Sequence, residues 1–265
     1  MRLTLLVFTL ICSSMAICQV DLNKPFRDSD MHGSTTIYDY KNKKWIFSDP
    51  VDANVQTLPA STFKVINLLI ALEEGVIKDE NTVIKWTGNQ DTARYGYRPD
   101  IYKDMTVKYA FEVSAGWLFI ELAKKIGKEK YRHYLKLCHY GNQNLSEKGI
   151  DFWNFGQFAI SPKNQVEFLM KVYEGKLPFS KRNMDILKKV MITETTNNYC
   201  IRSKTGWTRY NGNDTGWWVG YIERKDNVYF FATRLIKKRS DVNPNFGPYR
   251  KEITKNILKQ LQILK

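Results

Sequence analysis

The chain has 265 residues, 41 Lys and Arg against 27 Asp and Glu, a formal net charge of +14 and 43% hydrophobic residues, 14% of the chain being aromatic. Such a composition excludes a disordered or low-complexity chain and leaves enough apolar material for a core of ordinary size. The basic excess does not indicate a nucleic-acid partner: Lys and Arg alternate with acids along stretches such as Glu121 to Arg132, and only Lys237-Lys238-Arg239 is a basic run.

Residues 1–18 pass from Arg2 through Leu5-Leu6-Val7-Phe8 and Leu10-Ile11 to the small residue Ala16, the layout of a secretory signal peptide and too short to span a bilayer. Cleavage after Ala16 or after Cys18 fits this pattern, and Ile17 before Cys18 argues against a lipoprotein site. The expectation is a mature chain of about 247 residues over 19–265, exported to the periplasm or secreted, with no membrane anchor of its own. Cys12 and Cys18 fall in the leader, whereas Cys138 and Cys200 follow apolar neighbours and read as small buried hydrophobes rather than a disulfide. With His32, His133 and His139 as the only histidines, no metal-ligand spacing occurs and no metal is expected.

Next in order, Ser34 to Tyr40 and Lys44 to Ser48 are β-rich runs around the polar turn Lys41-Asn42-Lys43, a predicted hairpin. Ser61 then opens a helix in which Val65, Ile66, Leu68, Leu69 and Leu72 recur at helical spacing, until Gly75 stops it. Helices are predicted from Ser114 to Ile126, Lys128 to Leu137, from Ser161-Pro162 with serine as N-cap, and over Lys181 to Ile192. Strands follow at Tyr199 to Lys204, Gly216 to Glu223 and Val228 to Leu235, with a loop over Thr208 to Thr215, before an amphipathic helix from Tyr249 to Leu264. Strands at both ends and helices between them predict a mixed α/β (α+β) fold. An antiparallel sheet is built from both termini and flanked by helices, with a mostly helical lobe inserted at about 65–194 and the sheet lobe at about 19–64 and 195–265.

Ser61-Thr62-Phe63-Lys64 carries the chemistry, together with Lys204-Thr205-Gly206 some 140 residues later; each motif occurs once. A serine hydroxyl is a weak nucleophile until a base takes its proton, and a lysine three positions on along a helix shares its face. At a helix start the free N–H groups and the dipole also favour an oxyanion. A lysine at its ordinary pKa of about 10.4 is a poor base, so Lys64 must be desolvated or modified.

Taken in order, Ser61-Thr-Phe-Lys64, Ser114-Ala115, Tyr140-Gly141-Asn142, Phe152-Trp153, Gln165-Val-Glu-Phe-Leu169, Lys204-Thr-Gly206 and Trp217-Trp-Val-Gly220 resemble the class D serine β-lactamases, over nearly the whole chain from about Ser34. The resemblance implies a β-lactamase/transpeptidase-like fold and hydrolysis of β-lactams through an acyl-enzyme on Ser61. It makes Lys64 the general base, carboxylated by carbon dioxide with no other cofactor, and Trp153 an indole donor able to hold the carbamate. Ser114 is implied as the proton shuttle, although alone it reads as an ordinary helix N-cap. Lys204, Thr205 and Arg250 are implied to bind the substrate carboxylate. Gly206 completes that motif, and the Trp207 and Ser61 N–H groups form the oxyanion hole. The chain departs from the family at Gly116, where a valine would cover Lys64; Trp117 or Phe63 are the candidates to fill the gap. A β-lactam sensor domain and a penicillin-binding transpeptidase are the alternative readings, since both share Ser-x-x-Lys.

Overall fold

A computed structural model describes residues 20–264; the leader expected over 1–18 lies outside them. The first part of the chain forms α1 (Lys24–Asp28), β1 (His32–Asp39), β2 (Lys44–Phe47), α2 (Lys64–Glu73), β3 (Val83–Ile84), α3 (Thr92–Tyr95), β4 (Met105–Thr106), α4 (Val107–Glu112), α5 (Gly116–Ile126) and α6 (Lys128–Cys138). The second part forms α7 (Pro162–Glu174), α8 (Lys181–Val190), β5 (Ile192–Thr195), β6 (Tyr199–Tyr210), β7 (Asn213–Arg224), β8 (Val228–Lys238) and α9 (Phe246–Gln260). Six strands make one sheet in the order β2-β1-β8-β7-β6-β5, antiparallel at every pairing. The termini meet where β1 pairs with β8, His32 opposite Ile236 and Asp39 opposite Tyr229.

Side chains of a strand alternate between faces, and both faces of this sheet are covered. Trp217, Val219 and Tyr221 of β7 join the core shared with the helical insert. Trp218 and Ile222 of the same strand join a second core with Phe246, Ile253 and Ile257 of α9. On the insert side α7 lies across β8, β1 and β7, its start fixed by Ser161, whose side chain accepts from the Asn164 N–H. Every residue of α2 from Lys64 to Leu72 is buried, as expected of a helix apolar on all sides at the centre of a domain. Cys138 is buried and Cys200 half-buried, and neither is bonded to another cysteine.

The sheet extends further than the sequence indicates. In place of a loop over Thr208 to Thr215, β6 and β7 continue as a hairpin, with Thr208 opposite Thr215 and Tyr210 opposite Asn213. Only Asn211 and Gly212 turn, at φ of 47° and 73°, the left-handed pair that two-residue hairpins require. The residues on either side are mostly polar, Thr208, Asp214 and Thr215 even though they are buried, and so lack the apolar alternation by which a packed strand is read.

Candidate active site

Ser61 sits in a single 3-10 turn, Ala60–Phe63, that leads directly into α2. Its Oγ accepts a 2.7 Å hydrogen bond from Lys64 Nζ. Lys64 is only 1% exposed, its Nζ stands 5.2 Å from the Phe119 ring centroid, and it has no carboxylate partner among the described residues. Burial alone lowers its pKa to about 7, because an unpaired ammonium is disfavoured away from water.

Several backbone contacts fix the turn. Thr62 Oγ1 donates to the Pro59 carbonyl at 2.8 Å and accepts from Gln165 Nε2 at 2.8 Å, while the Trp217 indole donates to the Leu58 carbonyl at 2.9 Å. The Ala60 N–H donates to the Trp153 carbonyl at 2.9 Å. The Trp153 ring is buried behind the turn, stacked on Phe63 with centroids 4.9 Å apart and planes 7° from parallel. Trp153 is thus not among the residues that line the cleft. Asn142 closes the loop that carries it, donating from its backbone N–H to the Ala159 carbonyl and from Nδ2 to the Gln157 carbonyl, both at 2.8 Å.

Ser114 is not the helix cap that its sequence context allows. Ala115 takes the N-cap position of α5 without a side-chain bond, and Ser114 stands at φ 61°, a left-handed conformation costing an L residue about 1–3 kcal/mol. The strain turns Ser114 Oγ toward Lys204 Nζ, which donates to it at 3.1 Å. Lys204 is 4% exposed, and burial, with Lys64 and Arg250 nearby, holds its pKa well below the ordinary lysine value. Its neighbour Gly206 is required by space: a Cβ there would stand 2.8 Å from the Pro59 carbonyl oxygen and 3.2 Å from the Thr62 nitrogen. Glycine lets β6 run against the Ser61 turn and carries Trp207 alongside it. From α9, Arg250 donates to the Gly206 carbonyl and, through Nε, to the Gly247 carbonyl at 2.8 Å; its guanidinium lies 5.7 Å from the Trp207 ring. Burial lowers the Arg250 pKa to about 10.

Ser61, Lys64, Ser114, Thr205, Gly206, Trp207 and Arg250 all line one cleft of about 630 Å³, and Lys204 is tied to it through Ser114. Residues 33–259 match the family model of the penicillin-binding protein transpeptidase domain. The β-lactamase OXA-10 of Pseudomonas aeruginosa is 38% identical over 247 residues, 91% of this chain and 89% of the relative. OXA-48 of Klebsiella pneumoniae is 36% identical, again over 91% of this chain and 88% of the relative. The chain belongs to the class D β-lactamases. A class D β-lactamase structure from Sebaldella termitidis superposes with a TM-score of 0.87 at 44% identity, covering 93% of this chain and 97% of that one. The class D YbXI structure from Nostoc gives 0.86 at 38% identity, covering 92% and 100%.

As a class D serine β-lactamase, the enzyme holds its site with residues that its sequence pattern leaves unmarked. Phe119 and Phe111 lie 5.2 and 5.5 Å below the Lys64 and Lys204 ammonium groups, and both read in sequence as ordinary core positions. At Gly116, an added Cβ would meet nothing within 4 Å. Neither Trp117 nor Phe63 fills this space: Trp117 turns away to donate to the Ile101 carbonyl at 2.7 Å, and Phe63 is stacked on Trp153.

Proposed function

We propose that this enzyme hydrolyses β-lactams through a covalent acyl-enzyme on Ser61, with Lys64, N-carboxylated by carbon dioxide, as its general base. The observation that carries the reading is the buried, counter-ion-free Lys64, with a pKa near 7 and 2.7 Å from the Ser61 hydroxyl. With Lys64 as that base, the Ser61 hydroxyl proton is taken up on the Lys64 side as Ser61 Oγ attacks the lactam carbonyl. The N–H groups of Ser61 and Trp207 face the developing oxyanion. The lactam C–N bond then breaks, and the leaving nitrogen takes a proton through Ser114, to which Lys204 donates. Water, deprotonated from the Lys64 side, releases the acid and frees Ser61.

Two features support carboxylation: burial that favours the neutral Lys64 amine, which carbon dioxide requires, and the cations nearby that favour an anion. When formed, the carbamate supplies an anionic oxygen as the base. Lys204, Thr205 and Arg250 bind the substrate carboxylate, and Arg250 adds a forked donor that a lysine lacks.

Continuous assay with a chromogenic cephalosporin tests the reading. Many equivalents consumed per enzyme support hydrolysis, whereas one-to-one labelling that persists for hours indicates a sensor or transpeptidase instead. For location we propose export to the periplasm by the leader at 1–18, tested by N-terminal sequencing of the protein from cell fractions. Among the described residues no helix is long and apolar enough to cross a membrane.

A further inference from the structure

Tyr140 and Gln165 head two of the sequence motifs, Tyr140-Gly141-Asn142 and Gln165-Val-Glu-Phe-Leu169, to which the acylation chemistry gives no task. Both side chains are buried, one in the loop after α6 and the other in the first turn of α7, and neither lines the cleft. What they reach instead is the turn that carries Ser61. That turn is not relaxed. Ala60, fully buried and immediately before Ser61, stands at φ 52°, the left-handed region in which an L residue persists only when its surroundings over-determine it.

The peptide between Pro59 and Ala60 is held at both ends. The Ala60 N–H donates to the Trp153 carbonyl, and the Pro59 carbonyl accepts from the Thr62 N–H at 3.2 Å and from Thr62 Oγ1 at 2.8 Å. The same carbonyl oxygen lies against Gly206, where a Cβ would come within 2.8 Å of it. Rotation of this peptide would therefore move Ser61 relative to Lys64 and disturb β6 beside it.

Thr62 has a single hydroxyl proton, which sets the direction of every bond behind it. With that proton on the Pro59 carbonyl, Thr62 Oγ1 can only accept, so the group facing it must be a donor. Gln165 supplies one, its Nε2 standing 2.8 Å from Thr62 Oγ1. The Gln165 amide oxygen is then left to accept, and the Tyr140 hydroxyl donates to it at 3.4 Å. The bonds thus run one way, from Tyr140 to Gln165 to Thr62 to Pro59, among residues that are all buried. Deleting the Gln165 donor leaves Thr62 Oγ1 short of a partner in a dry interior and frees its hydroxyl to turn off Pro59. We infer that Gln165 is a positioning residue for the nucleophile: through Thr62 it holds the strained peptide before Ser61, and with it Ser61 Oγ in reach of Lys64. The inference rests on Ser61 as the nucleophile. It gives Gln165 no contact with substrate, so loss of Gln165 slows the chemical step and leaves substrate binding alone.

Single-turnover acylation of the full-length mature enzyme by benzylpenicillin, followed by rapid-quench mass spectrometry, separates the two effects. Gln165→Met keeps the length of the side chain and removes the donor. Its acylation rate constant should fall by about tenfold or more, since displacing a reacting atom by about 1 Å costs on the order of 10²-fold, while the substrate dissociation constant stays within about twofold. Thr62→Val should show the same split, and Thr62→Ser, which keeps the hydroxyl, should stay within about threefold of wild type. The double variant Gln165→Met/Thr62→Val should be no slower than Thr62→Val, because both changes break one chain. If Gln165→Met does not fold, Gln165→Asn, which draws the same amide back by one methylene, should show the split instead. Wild-type acylation rates in the Gln165 variant, a loss confined to substrate binding, or losses that multiply in the double variant overturn the inference. A wild type that penicillin does not acylate refutes Ser61 as the nucleophile, so the two failures are distinct.

Discussion

Two sets of buried cations in this protein differ in what the chain supplies to accompany them. Arg234 in β8 is fully buried, and it is paired: Asp52 bonds its guanidinium, Val55 offers a carbonyl at 2.8 Å, and the Trp217 ring lies 5.7 Å away. Lys64 and Lys204 are as deeply buried, and half-buried Arg250 joins them, yet among the described residues none of the three has a carboxylate partner. The first arrangement carries its own counter-charge in Asp52 and ties the Asp52 to Thr57 segment, just ahead of the Ser61 turn, to the sheet. The second is incomplete until an anion arrives. A fold does not retain uncompensated charge for stability, so the contrast locates function by what is missing rather than by what is present.

The contrast breaks most visibly at Lys64. Lys64→Ala should lower kcat/KM by about 10²–10⁴-fold, the usual share of a general base, and should trap the acyl-enzyme where it forms at all, as mass spectrometry would show. Wild-type activity should fall as the pH drops below about 7, because protonation of Lys64 takes away the neutral amine that carbon dioxide needs, and added bicarbonate should restore part of it. A rate independent of pH through that range, or rapid complete turnover by the variant, contradicts the assignment.

The paired site should respond in stability rather than in chemistry. Asp52→Asn leaves Arg234 charged and buried, and should destabilise by about 3 kcal/mol, the low end for a broken buried pair because Asp52 keeps 24% of its side chain exposed. Denaturant unfolding would measure it, and Asp52→Asn combined with Arg234→Met should recover part of the loss. At the unpaired site, Arg250→Ala should instead weaken apparent substrate affinity by about 1.5–3 kcal/mol, the range for a charge-assisted hydrogen bond, read from KM. Unchanged kinetics would make Arg250 a structural residue like Arg234.

Gly116→Val is the finest test. The space around Gly116 admits a side chain, so the change should alter stability by less than about 1 kcal/mol. By drying the cleft beside Lys64 it should reduce the stimulation of activity by added bicarbonate. Full wild-type activity without bicarbonate, and no carbamate signal in carbon-13 NMR, would mean that Lys64 works as a free amine.

Sequence pattern reached what is local or repetitive. Ser61 and Lys64 share one turn, the strands alternate, and Ser161-Pro162 marks a helix start, so the antiparallel sheet with its helical insert was legible. Ser114 was legible only through family resemblance, since its role rests on a φ of 61° that no residue type announces. The Asn211-Gly212 turn was written plainly, yet the polar strands beside it disguised it as a loop. Contacts between distant residues were out of reach: Asp52 and Arg234 lie 182 positions apart, Tyr95 and Asp151 56 apart, and nothing in either neighbourhood specifies the partner.

The central claim is that the incomplete site acylates and then clears Ser61. Intact-mass spectrometry in a time course after penicillin exposure tests it most directly, on wild type, Ser61→Ala and Lys64→Ala together. The account predicts a transient adduct on wild type, none on Ser61→Ala, and a lasting one on any Lys64→Ala that reacts. An adduct on Ser61→Ala would contradict it.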